Sequence, residues 1–243
     1  MSDVQYTPPP PLPPVVPPPP PPAPPQFDFA RPFSYVFDDP RWLQKILIGG
    51  LFYLAGFFII GWFFVFGYVA RTTRNLLADH PTPLPEWEDI GSFFNEGIRL
   101  VGVALCYGVP FVILVLMLVF PAIVMDSVNA GETVESMFGL FAGCLACLMI
   151  PIGLLWFLFL PASLLFTVVE QRFGAAFEFG RIWRFIRANV GNYLLALVVM
   201  IIARFIAGAG TGLLCIGVIF TGFWSLLISA HAFAQVYRLS SIK

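Results

Sequence analysis

The 243-residue chain is 58% hydrophobic, 16% aromatic and only 11% charged, with a formal net charge of −1. Ordinary soluble domains carry about 25% charged residues, so a water-soluble fold of this length could not bury so much apolar side chain. With no basic patch beyond arginines flanking apolar blocks, the composition also speaks against a nucleic-acid partner.

The chain begins Met1-Ser2-Asp3, with neither a positive n-region nor an apolar h-region, so no signal peptide is expected. Residues 8–25 are a proline tract: Pro8–Pro11, Pro13, Pro14, Pro17–Pro22, Pro24 and Pro25. Proline fixes φ and lacks an amide donor, so the tract is predicted to be a polyproline II rod. At about 3.1 Å per residue it reaches roughly 55 Å. Residues 1–26 read as a disordered proline-rich tail or semi-rigid spacer, and residues 27–243 as a helical membrane domain. The recurrent PxxP spacing adds a second reading, a ligand for the aromatic-lined groove of a protein partner.

Between Phe27 and Lys45, aromatic residues alternate with Asp38, Asp39, Arg41 and Lys45. Asp39-Pro40 supplies an N-cap acceptor followed by proline at N1, and Trp42 is placed at headgroup depth. Four apolar blocks follow. Ile46–Ala70, Leu100–Met125 and Met137–Val169 contain no Asp, Glu, Lys or Arg, and Val190–Val236 contains only Arg204. A spanning helix needs about 20 apolar residues at roughly 1.5 Å each, so each block can cross a bilayer. Pro85-Glu86-Trp87-Glu88-Asp89 is expected to form the first turn of an interfacial helix before the second block, its acids favoured by the helix dipole. Ile90, Phe93, Phe94 and Ile98 then line one side. Phe173–Asn189 alternates Phe177, Ile182, Phe185 and Ile186 with Glu178, Arg181, Arg184 and Arg187, the pattern of a basic interfacial helix. Trp42, Trp87, Trp183, Arg181, Arg184 and Arg187 are therefore read as interfacial anchors.

The runs Asp39-Pro40-Arg41-Trp42-Leu43-Gln44-Lys45-Ile46-Leu47-Ile48-Gly49-Gly50, Gly67-Tyr68 with Arg71, and Leu84-Pro85-Glu86-Trp87-Glu88-Asp89 resemble the domain-of-unknown-function 4013 family of prokaryotic multi-pass membrane proteins. The run Ala230-His231-Ala232-Phe233-Ala234-Gln235-Val236-Tyr237-Arg238 resembles the family's C-terminal end. The resemblance covers about residues 33–238. It implies an integral membrane protein and supplies no activity, cofactor or catalytic residue.

Lys and Arg mark cytoplasmic flanks. Arg31, Arg41 and Lys45 precede the first block; Arg71, Arg74 and Arg99 precede the second. Asp126–Ser136 has neither Lys nor Arg, while Arg172, Arg181, Arg184 and Arg187 follow the third block. The second and third blocks thus cross outward and back. Val190–Val236 is long enough for two crossings, with Ala207–Gly212 as the outer turn. The C-terminus is expected in the cytosol, and the N-terminus with it if the first block crosses an even number of times. A re-entrant hairpin broken near Gly56–Gly61 meets that condition; a single span with the N-terminus outside is the alternative. The expected fold is all-α, a transmembrane bundle of about four crossings plus that hairpin.

Within the blocks, Gly139-x-x-x-Gly143 with Cys147 forms a small-residue stripe suited to close helix packing, or to homo-oligomer formation. Ser225 and Ser229 form a similar stripe in the last helix. Cys106, Cys144, Cys147 and Cys215 are read as small packing residues, since no cation lies near the Cys144-x-x-Cys147 pair to activate a thiol. Pro151 and Pro161 are expected to kink the third block.

Arg204 is the one fixed charge inside a block, placed either to snorkel toward or cap the outer turn, or to contact a substrate or ion. His231 is either a hydrogen-bonded packing residue or a proton-responsive group. Catalytic and metal-binding motifs are missing, and no cofactor is expected. The leading reading is a multi-pass cell-membrane scaffold or accessory protein without enzymatic activity. A small transporter or channel subunit using Arg204 is the second, and a membrane-embedded enzyme the third.

Overall fold

The computed structural model describes residues 26–127, 131–212 and 217–241. The expected polyproline rod and Cys215 lie outside the described residues. The described residues form an all-α structure, without strands. A short helix α1 (Arg31–Ser34) and a 3-10 turn (Tyr35–Asp38) lead into α2 (Trp42–Ala55) and α3 (Ile60–Leu77). Two long helices follow, α4 (Ile90–Ser127) and α5 (Glu132–Glu170). A 3-10 turn (Phe173–Phe177) and α6 (Phe179–Ala188) connect them to α7 (Val190–Ala209) and α8 (Gly217–Leu239).

Four of these helices, α4, α5, α7 and α8, are long and apolar enough to cross a bilayer. The chain is a helical membrane protein on this ground. The first block is a helical hairpin, broken where the glycines predict: a 3-10 turn at Gly56–Phe58 ends in Ile59 at φ 69°. A left-handed conformation is costly for a β-branched residue. It is tolerated because the turn leaves no room to relax: a Cβ on Gly61 would overlap the carbonyl oxygen of Phe52 and the amide of Gly56. The turn's backbone is satisfied internally, with Ile59 N donating to Gly56 O at 2.9 Å and Trp62 N to Ile59 O at 3.1 Å. Its tip is apolar, with Phe57 84% and Phe58 76% exposed. The 14 residues of α2 rise only about 21 Å, less than the roughly 30 Å of a hydrocarbon core.

Helix α8 is the hub. In its apolar window 61% of residues are buried, against 11% for α4 and 6% for α5, so α8 forms the core and the outer parts of α4 and α5 face lipid. Glycines set the closest approaches. Gly49 and Gly50 leave space on α2 for the rings of Phe223 and Phe220 from α8. Between α3 and α4 the backbones nearly touch: a Cβ on Gly67 would overlap the Phe93 carbonyl, and one on Gly97 the Phe63 carbonyl.

Several expectations are corrected. Helix α4 runs unbroken for 38 residues from Ile90, through Pro110 and Pro121, with no separate interfacial helix before the span. It starts after Asp89, whose Oδ1 accepts the Ser92 amide at 3.2 Å as an N-cap, so Pro85–Glu88 precede the helix rather than form its first turn. Likewise α2 starts at Trp42, three residues after Asp39. Among the described residues nothing lies within 4 Å of a Cβ at Gly139 or Gly143, so their stripe packs against none of the described helices. Cys106, Cys144 and Cys147 are exposed on α4 and α5, not packed inside, because these helices pass the core on one side only.

Because backbone atoms oppose any side chain at Gly67 and Gly97, Gly67→Ala and Gly97→Ala are each expected to destabilise the protein by about 1–3 kcal/mol. Gly91→Ala, in open space, should be neutral or slightly stabilising. Thermal unfolding of the three variants in detergent micelles tests the contrast.

Candidate functional site

The charged residues gather at one end of the bundle, where the N-terminal segment, the α3–α4 loop, α6 and the end of α8 meet. At its centre lies Lys45, with a side chain only 4% exposed. Three oxygen atoms surround its ammonium, a group with three donors. Lys45 Nζ donates to Asp39 Oδ2 at 2.6 Å, to Leu84 O at 2.8 Å, and pairs with Glu86 Oε1 at 2.6 Å. Glu86 also takes Arg41 Nη2 at 2.8 Å. Asp39, itself buried, uses its second oxygen to accept the Arg41 amide at 2.8 Å.

Trp87 completes the cluster. It was read as a membrane-surface anchor, but only 9% of it is exposed. Its indole lies between Tyr68 (ring centroids 4.2 Å apart) and Phe52 (4.9 Å), and its Nε1 donates to Lys45 O at 3.1 Å. Tyr68 Oη donates to Pro85 O at 3.0 Å. Motif residues that stand far apart in the chain, Asp39, Lys45, Gly67-Tyr68 and Leu84–Trp87, thus form one structural knot. The sequence signal was present in Lys45, a cation entering an apolar helix, but its partners were read as helix starts.

Neighbouring ion pairs extend the knot. Glu96 bridges Arg71 (2.8 Å) and Arg74 (2.5 Å). Arg71 also approaches Asp89, whose carboxyl is held below the usual carboxylate range chiefly by hydrogen bonding with Ser92. Glu170 pairs with both Arg172 and Arg181, and the Arg181 guanidinium lies over the Phe166 ring, 4.7 Å from its centroid. Helix α6 buries Ile182, Phe185 and Ile186 and exposes Trp183, Arg184 and Arg187. Trp42 is half-buried, edge-on to Phe37.

A second feature is a polar cavity of about 580 Å³ lined by Tyr35, Asp79, His80, His231, Gln235 and Arg238 among others. His231 is buried, its ring 4.4 Å from that of Tyr35 and its Nδ1 3.1 Å from Gln235 Nε2. Gln235 holds the N-terminal segment: its Oε1 accepts the Asp28 amide at 2.9 Å and its Nε2 donates to Asp28 O at 3.0 Å. Arg238 reaches Asp79 at 2.7 Å. Among the described residues no group of His, Cys, Asp and Glu has metal-binding geometry.

Arg204 lines a different cavity, of about 740 Å³ and almost wholly apolar, between α3, α4, α5, α7 and α8. Its Nη1 lies 3.4 Å from Ser225 Oγ. The carbonyls of Ala207 and Gly208 at the end of α7 are taken instead by the hydroxyls of Thr221 (3.0 Å) and Thr211 (2.7 Å). Arg204 and His231 do not share a site.

Removing one partner of a buried ion pair leaves the other uncompensated and costs about 3–5 kcal/mol. Lys45→Met is expected to destabilise by this amount. Arg41→Ala, at an exposed pair, should change stability by less than about 1 kcal/mol. Denaturant unfolding in micelles separates the two.

Residues 50–216, more than half of the chain, match the model of the family described as Protein of unknown function (DUF4013). The Asp39–Gly50 run, all but its last residue, and the Ala230–Arg238 run lie outside that match, although the structure packs both against it. No curated protein and no solved structure matches the chain. The knot thus joins Asp39, Arg41 and Lys45, just before the matched region, to Tyr68 and Leu84–Trp87 within it, and the chain belongs to the DUF4013 family.

Proposed function

We propose that this protein is a non-enzymatic scaffold or accessory protein of the cell membrane, with its charged end and both termini in the cytosol. The observation that carries this reading is the anchorage of the N-terminal segment. Asp28 is stitched to Gln235 near the end of α8, and Arg31 pairs with Asp38 at 2.6 Å, so residues 1–26 depart from a fixed point on the charged face. A proline-rich segment on a rigid base is suited to an aromatic-lined groove on a cytosolic partner.

Charge distribution supports the orientation. All but two of the 13 Lys and Arg residues, Arg204 and Lys243 being the exceptions, belong to segments that join at the charged end. Lys and Arg accumulate on the cytoplasmic side. The α2–α3 hairpin, with α2 too short to span and a turn that is apolar at its tip and bonded within itself, fits a re-entrant element. The stripe of Gly139 and Gly143, exposed and without a neighbour among the described residues, is where a second copy would pack.

Reporter fusions at Pro25, His80 and Ala188 are expected to report the cytosol, and a fusion at Asn129 the opposite side. A cytosolic signal at Asn129, or opposite signals at Pro25 and His80, would contradict the orientation. In pull-downs from solubilised membranes, partners carrying a polyproline-binding domain should be recovered with the full chain and lost on deleting residues 1–26. Recovery that is unchanged by the deletion, or never above background, would reject the scaffold role of the tract.

A further inference from the structure

We propose that the Arg204 cavity is a binding site for one anionic phospholipid, with the headgroup at Arg204 and an acyl chain inside the bundle. Three observations carry it. The first is size and chemistry: about 740 Å³, within the roughly 300–1,000 Å³ of small-ligand sites, walled by apolar side chains such as Phe66, Leu100, Leu164 and Phe233. Such a wall has nothing to offer a hydrated solute and is well matched to a hydrocarbon chain.

The second is access. The lining residues Trp156, Ile201 and Phe205 are exposed on the lipid-facing surface, so the cavity opens sideways toward the bilayer. The opening exists because α5 packs with α7 and α8 through its last third, from Phe157 to Phe166, while residues such as Leu140, Ile150 and Leu154 stand exposed.

The third is charge. Arg204 is the only Lys or Arg lining the cavity, and among the described residues none of the ion pairs involves it. Arg204 and Ser225 lie at one depth, each 14 residues from the charged end of its helix (190 to 204, 225 to 239), about 21 Å along the axis. The guanidinium is turned to Ser225 rather than to the carbonyls at the end of α7, which the threonines already occupy. A cation at this depth is costly without a counter-charge. A phosphodiester supplies that charge and accepts the remaining guanidinium donors, while its chain descends between α3 and α5 toward Thr73 and Val168.

The test uses the full chain in micelles offered equal phosphatidylglycerol and phosphatidylcholine of identical acyl chains, with retained lipid counted by native mass spectrometry. A preference of about five-fold for the anionic lipid is expected, the ratio one arginine contact gives near a membrane surface. Arg204→Gln should abolish the preference, Arg204→Lys should keep it, and Ala230→Trp, which fills the cavity, should lower retention of both lipids. Equal retention by the unsubstituted protein, or an unchanged preference in Arg204→Gln, overturns the proposal. So does a second copy of the chain displacing lipid from this face. Should Arg204→Gln fail to fold, Trp156 fluorescence decides without it: chain-brominated phosphatidylglycerol must quench more than brominated phosphatidylcholine, with the difference lost in Trp156→Phe.

Discussion

Taking an ammonium out of water costs several kcal/mol, and the effective attraction of one carboxylate does not always offset it. Lys45 meets the requirement with two carboxylates and a carbonyl, from two places in the chain, Asp39 and the Leu84–Glu86 stretch. That need makes the cluster an architectural constraint. Asp39 must stay close before α2, and the Leu84–Trp87 stretch must fold back from the α3–α4 loop across the base of α2. Trp87 then fills the space between Tyr68 and Phe52, its indole N–H satisfied by the Lys45 carbonyl. Once this loop is pinned, the start of α4 is set by the Asp89 cap two residues later, and the α3–α4 contact follows through Gly67 and Gly97.

The polar knot also explains how a short hairpin can stand in a membrane protein. Helices α2 and α3 are held at their charged ends by the Lys45 and Glu96 ion pairs and along their length by α8, through Gly49 and Gly50. Their turn is therefore free to be tight and apolar, with strain at Ile59 sustained by the surrounding packing. The same division of labour runs through the molecule: directional bonds among charged and polar groups fix the charged end, and close apolar packing with small residues fixes the interior.

Away from the charged end the packing loosens. The outer halves of α4 and α5 carry apolar side chains on nearly every side, which lipid tails accept as readily as protein does. The laterally open cavity beneath Arg204 arises from that divergence of α5. The wall of this cavity is apolar, unlike the lining of a polar channel.

Much was determined by the residues alone. The uncharged blocks required helices of membrane length, because a backbone in hydrocarbon must bond to itself; the glycines near 56–61 marked the break, and the basic flanks marked one charged end. What only the tertiary structure decided is which separated residues meet. Period and propensity report local geometry, so Pro85–Glu88 read as a helix start and Trp87 as a surface anchor. In the folded chain they are a plug, drawn inward by the buried ammonium of Lys45. Arg204 was conspicuous in the sequence, yet the cavity beside it depends on how far α5 diverges from α7, a distance set by packing across the whole bundle and written in no single segment.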